Sequence, residues 1–318
     1  MSALFRLYCL KLLSSGLFWS AVVCLGIEAR CLKTLPSRFF SHEVDTLLYN
    51  LQTRNYDAET LVLGDSVARQ IALYLAAEGE ADFLQLTTNG ALQMAGQYYI
   101  LQRYLERNRA PENVILLKHR PLHGNLNRPA TENYVQRCFT RWHEIAEMTR
   151  YTGSPAFGLR ALSYRMATAK YRLHLQELVP WLPAHAVVDD PERLNEPADG
   201  ENPMRLPVRM LSPGQRISVS ERYFLKMIDL CSRNNIRLGY LPCPMPDEQW
   251  KDYQTGPAHA RLVARLGEIS QAYPGLRYIT EIKTYPADWF IDGVHVRKAR
   301  LPRVAADYAQ MMNEMMQP

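Results

Sequence analysis

No CxxC pair and no cysteine–histidine cluster occurs in this sequence, which removes zinc ribbons and redox dithiols from consideration. The six cysteines stand apart, at positions 9, 24, 31, 138, 231 and 243. Cys9 and Cys24 lie in an apolar stretch, where a thiol serves as a small hydrophobe. Cys231 and Cys243 read either as two separate buried thiols or, in an exported protein, as a pair. Basic residues never gather into a run: the net charge of +5 is spread along the chain. Nucleic-acid binding therefore lacks both its electrostatic footprint and a recognisable motif. Mild basicity is compatible with approach to an anionic membrane or polysaccharide. No internal repeat or low-complexity tract occurs, which excludes solenoids and disordered arrays.

What remains is a globular composition. With 318 residues, 47% hydrophobic and 22% charged, the chain can bury one large core. The first 29 residues differ from the rest. Arg6 and Lys11 precede an apolar run from Leu12 to Ile27. As a helix this run spans about 24 Å, short of the roughly 30 Å hydrocarbon core. Extended back to Ala3, with both cations snorkelling, it reaches that thickness. A membrane anchor and a cleaved signal peptide ending near Ile27-Glu28-Ala29 both fit. Either one places the remaining chain outside the cytoplasm, as an inner-membrane protein facing the periplasm or as a secreted or periplasmic one. A buried or amphipathic first helix of a cytosolic protein is the third reading.

Residues 30–58 read as a polar connector with some helix around 42–52. From residue 59 onward a strand–helix rhythm sets in. Short apolar runs at 60–63, 83–86 and 114–117 predict strands, with helices at 67–77 and 91–108 between them. The rhythm lapses over 124–217, a largely helical insertion or lid with helices at 132–150 and 159–178. It resumes with a helix at 218–234, strands at 236–241 and 276–279, and helices at 257–272 and 297–316. Strands alternating with helices predict parallel pairing through right-handed crossovers. Continuously apolar strands predict a sheet covered on both faces. The expected architecture is a three-layer α/β/α sandwich around a parallel sheet of about five strands, flavodoxin-like.

Two short segments carry chemistry. Gly64-Asp65-Ser66 follows the first strand and opens the first helix of the sandwich. Ligands of open parallel sheets bind beyond the carboxyl ends of the strands. A serine there meets the positive end of a helix dipole and free backbone N–H groups. Taken alone, the tripeptide reads equally as a turn with Ser66 as helix N-cap. The second segment, Asp292-Gly293-Val294-His295, immediately precedes the terminal helix. A serine hydroxyl needs a base, and the base needs an acceptor on its far nitrogen. Asp292 and His295, three residues apart, satisfy the second requirement locally. Alone, each is an ordinary turn or surface residue.

With Ser66 they resemble the SGNH/GDSL hydrolases, whose serine follows the first strand in a Gly-Asp-Ser block and whose Asp-x-x-His block precedes the last helix. The resemblance covers 60–118 and 218–316 and does not cover 124–217. It implies the three-layer fold, Ser66 as nucleophile, His295 as base and Asp292 as its orienting partner. It implies an oxyanion hole from the N–H groups of Ser66 and Gly90, with Asn89 beside it. The family's Gly-x-Asn-Asp block has no counterpart here. His119 or Arg120 stands as a substitute donor, Asn125 as one that folds back, and a two-donor hole is the alternative. His119 and His123 do not make a metal site, because Pro121 breaks the helix their spacing needs. The methionines at 311, 312, 315 and 316 read as packing residues.

The implied activity needs no metal or organic cofactor. It is acyl-ester hydrolysis or O-acyl transfer, with acylated cell-envelope polysaccharide as the substrate class. The competing class is a catalytically weak binding or assembly component of an envelope machine, with envelope biosynthesis proteins as partners. A cytosolic lipase or esterase is the third.

Overall fold

The structure is a computed structural model that describes residues 5, 8, 10–12, 15–38, 43–79, 82–88, 94–118, 141–163, 166 and 218–317. Helix α1 spans Gly16–Arg38 and α2 spans Glu43–Thr53. The sandwich then opens with β1 (Thr60–Gly64), α3 (Ser66–Ala77), β2 (Leu84–Gln85), α4 (Met94–Leu105) and β3 (Asn113–Lys118). Helices α5 (Trp142–Thr152) and α6 (Pro155–Ser163) follow. Beyond them come α7 (Val219–Arg233), β4 (Arg237–Pro242), β5 (Met245–Pro246), α8 (Asp247–Gln254) and α9 (Pro257–Ala272). The last elements are β6 (Leu276–Tyr278), β7 (Thr284–Tyr285), a 3-10 turn at Ala287–Trp289 and α10 (Leu301–Met316).

Five strands form one parallel sheet in the order β2-β1-β3-β4-β6. Its register sets Gly64 opposite Leu117 and Leu117 opposite Leu241. All carboxyl ends of these strands therefore point to one edge. Side chains alternate between two cores, as the period of a strand requires. Leu61, Leu63, Val114, Leu116, Leu238 and Tyr240 face a first core closed by α2, α4, α7 and α9. Val62, Ile115, Leu117 and Leu241 face a second, closed by α3 and α10. This is the three-layer α/β/α arrangement. A separate two-stranded parallel pair, β5 with β7, was not foreseen. Strands of two residues are too short to show a period.

The stretch read as a connector contributes to the core. Val44, Leu48 and Leu51 of α2 are buried in the first core, at helical spacing. Within the region read as an insertion, Ile145, Met148 and Ala161 are buried in that same core. Arg103 of α4 and Glu144 of α5, both buried, are joined as an ion pair across this contact. Arg103 also meets Glu106 at 3.1 Å, so uncharging Glu144 leaves the guanidinium partly compensated and the cost falls at the low end for a broken buried pair. Glu144→Gln should cost about 3 kcal/mol, read as a lower urea midpoint at unchanged m-value. The rest of 124–217, apart from Met166, lies outside the described residues.

Cys231 and Cys243 are free thiols. The exported-protein alternative of a disulfide between them is therefore corrected. Cys231 packs in the first core and Cys243 in the second, with the sheet between them. Burial pushes the Cys231 thiol up to about 12. Among the described residues, no helix is long and apolar enough to cross a membrane. Helix α1 nevertheless exposes Trp19, Val23, Leu25 and Ile27.

Candidate active site

The site forms at the carboxyl edge of the sheet, where β1 turns into α3. Asp65 takes the N-cap: its backbone is extended and its Oδ1 accepts from the Val67 N–H at 3.2 Å. Ser66 is thereby released from capping and becomes the first helical residue. Its N–H is one of the four at a helix start without an intrahelical acceptor. The alternative of Ser66 as N-cap is thus replaced by Asp65 in that role.

Gly64 has no room for a side chain. A Cβ there would overlap the Cβ of Ala68 and come within 2.7 Å of the Leu117 carbonyl oxygen. The Gly64 carbonyl is held from the other side by the Gln97 side-chain N–H at 2.9 Å and the Thr88 N–H at 3.3 Å. Because backbone stands in the way, Gly64→Ala should destabilise by at least about 2 kcal/mol. A melting temperature lowered by roughly 4 °C or more would show it.

The opposite wall is the loop before α10. Phe290 and Val296 bridge in antiparallel fashion, and the Ile291 N–H donates to the His295 carbonyl at 2.8 Å. Gly293 sits at φ +74°, in the left-handed region that glycine enters without strain. Its carbonyl accepts from the Gln249 side chain of α8 at 3.2 Å. Asp292 uses its two carboxylate oxygens differently. Oδ1 closes the turn by accepting from the N–H groups of Val294 at 3.0 Å and His295 at 2.8 Å. Oδ2 lies 2.7 Å from His295 Nδ1. Partial burial works to raise the Asp292 carboxyl. The hydrogen bonds from the His295 ring, the His295 and Val294 N–H groups outweigh that and hold it well below the usual carboxylate range.

His295 Nε2 lies 2.8 Å from Ser66 Oγ. Hydroxyl, imidazole and carboxylate thus form one continuous hydrogen-bonded line across residues 229 positions apart. The imidazole is 32% exposed and the carboxylate 39%, so the line opens to solvent along one side. The arrangement can transfer a proton from Oγ to Nε2 while the carboxylate fixes the Nδ1–H tautomer.

Asn89, Gly90, His119, Arg120 and Asn125, expected as oxyanion donors, lie outside the described residues. So do His119 and His123 as a rejected metal pair. Among the described residues no group of three or more His, Cys, Asp or Glu is placed to hold a metal. Three glutamines that brace the site escaped the sequence reading. They are Gln97 on the Gly64 carbonyl, Gln249 on Gly293, and Gln70, whose Oε1 accepts from the Val296 N–H at 3.1 Å. Gln97 alone left a trace, as a polar residue inside the buried stretch Met94–Tyr99 of α4.

No protein-family model matches the chain, and no curated protein matches it. Among solved structures, one from Streptococcus pneumonia, provisionally assigned as a platelet activating factor, aligns with 91% of this chain and 99% of its own. The identity is 11% and the TM-score 0.34, a likeness too slight to carry an argument. The site stands on its own geometry.

Proposed function

We propose that this chain is a serine-dependent acyl-ester hydrolase or O-acyltransferase of the SGNH/GDSL kind, with Ser66 as nucleophile. The observation that carries the reading is the unbroken Ser66–His295–Asp292 hydrogen-bond line at the carboxyl edge of a parallel sheet. His295 Nε2 takes the Oγ proton as Oγ attacks the ester carbonyl carbon. The Ser66 N–H, at the positive end of α3, faces the charge that develops on the carbonyl oxygen. The imidazolium returns the proton to the departing alkoxide, leaving an acyl-Ser66 ester. A second hydroxyl, from water or from a sugar, gives its proton to His295 and takes the acyl group, and the imidazolium passes that proton to the departing Ser66 Oγ. Asp292, held ionised, stabilises the imidazolium in both halves.

The substrate class proposed is an acylated cell-envelope polysaccharide, met outside the cytoplasm. Support comes from the family resemblance and from the exposed apolar surface of α1, preceded by Arg6 and Lys11. A reporter fused to the C-terminus and active only on the cytoplasmic side would refute that location.

The activity is tested on the full chain with a fluorophosphonate probe and p-nitrophenyl acetate. Covalent labelling with ester turnover is expected. A well-folded protein that neither labels nor turns over ester would instead be a binding or assembly component.

A further inference from the structure

We infer that Gln70 is a positioning residue, which holds the His295 loop at proton-transfer distance from the helix that carries Ser66. The inference rests on the acyl-transfer reading above and adds a residue that touches neither substrate nor the reacting atoms.

Ser66 and Gln70 are four residues apart on α3, so they share one face of that helix. The Gln70 Oε1 accepts from the N–H of Val296, the residue directly after His295. The other backbone groups around His295 are engaged within their own loop. Its N–H goes to Asp292 Oδ1, and its carbonyl accepts from Ile291. Those bonds shape the loop but do not place it against α3. The Gln70–Val296 bond does, one residue from the imidazole and independently of the Ser66–His295 contact. Val296 is buried, so its N–H has no water to turn to if Gln70 is lost.

Apolar packing is the competing device. Val67, Ala68 and Ile71 of α3 share the second core with Val304, Ala305 and Tyr308 of α10, and with Phe290 and Val296 of the loop itself. That packing brings α10 and the loop against α3, but it is non-directional and does not fix where the imidazole stands. His295 stands outside α10, at the end of a loop, and the reaction depends on a distance held to a fraction of an ångström. A misplacement of about 1 Å can cost about 100-fold in rate.

Two substitutions separate the possibilities. Gln70→Leu keeps the bulk and removes the acceptor. Gln70→Glu keeps the acceptor and adds a negative charge at the Val296 N–H, one residue along the chain from His295, which favours a protonated imidazole. Fluorophosphonate labelling rates, kcat and KM for p-nitrophenyl acetate, and melting temperatures are compared for both and for the parent protein. Gln70→Leu should label at least about tenfold more slowly and lose kcat at nearly constant KM. Gln70→Glu should recover most of that rate at alkaline pH, with the acid limb of its pH profile displaced upward. Gln70→Leu labelling at the parent rate would overturn the inference. So would equal losses in both variants at every pH. If the parent protein itself fails to label, it is the acyl-transfer reading that falls.

Discussion

Ser66→Ala should abolish fluorophosphonate labelling and lower ester turnover on the order of 10⁶-fold, while the melting temperature stays within a few degrees of the parent protein. The size follows from how the three side chains act. They work as a unit, and losing the nucleophile costs nearly as much as losing all of them, on the order of 10⁶ in kcat. The fold should scarcely notice. The helix cap belongs to Asp65, whose side chain accepts from Val67, and alanine is at home in the first turn of a helix. Stability and activity thus separate cleanly at this position. Retained labelling, or turnover within about a hundredfold of the parent rate, would place the nucleophile elsewhere.

Asp292→Asn should lower kcat on the order of 10⁴-fold with Ser66 still present. The acceptor Oδ2, 2.7 Å from His295 Nδ1, becomes an amide. If its N–H₂ faces the ring, the imidazole must turn its lone pair to Nδ1 and its proton to Nε2. Nε2 then cannot take the Oγ proton. The same substitution tests the pH dependence of folding. The Asp292 carboxyl is held below its ordinary value in the folded chain. Its contribution is therefore complete above the unfolded carboxylate pKa and is lost as pH falls through the lower folded one. Because the group is 39% exposed, solvent screening keeps that contribution small. Acid titration of the melting temperature should show the parent protein losing part of its advantage over the asparagine variant below about pH 4. An unchanged gap down to pH 2 would contradict the tight carboxylate–imidazole contact.

The parts of this molecule that could be read from sequence are the ones whose cause is local. Gly64-Asp65-Ser66 and Asp292-Gly293-Val294-His295 are short segments whose turn chemistry lies within a few residues. The strands at 60–64, 113–118 and 237–242 are apolar runs bounded by turns. Helix 257–272 carries its own period and a proline at its start. What stayed hidden is held by distant partners. Gln70 meets Val296 at a separation of 226 residues, Gln249 meets Gly293 at 44, and Gln97 meets Gly64 at 33. A glutamine destined for such a contact looks like any other glutamine until the chain is folded. Helix α2 was visible as a helix, but its polar surroundings masked the fact that Val44, Leu48 and Leu51 seal the first core. The fate of Cys243 was within reach. Gly239 and Leu241 of β4, and Cys243 just past its end, alternate onto the α3 and α10 side, away from Cys231 on α7.

The second face of the sheet is closed by α3, which begins at the nucleophile, and by α10, which follows the base. Between them lie more than two hundred residues of polypeptide. At roughly 5–20 residues per second of synthesis, Ser66 leaves the ribosome some 10–50 s before His295 does. Until α10 follows, a nascent chain has an uncovered hydrophobic sheet face and an unactivated hydroxyl. On the proposed reading, the hydroxyl is joined to its base only as that face is covered. A truncated translation product lacking α10 should therefore be open to proteolysis through its exposed core.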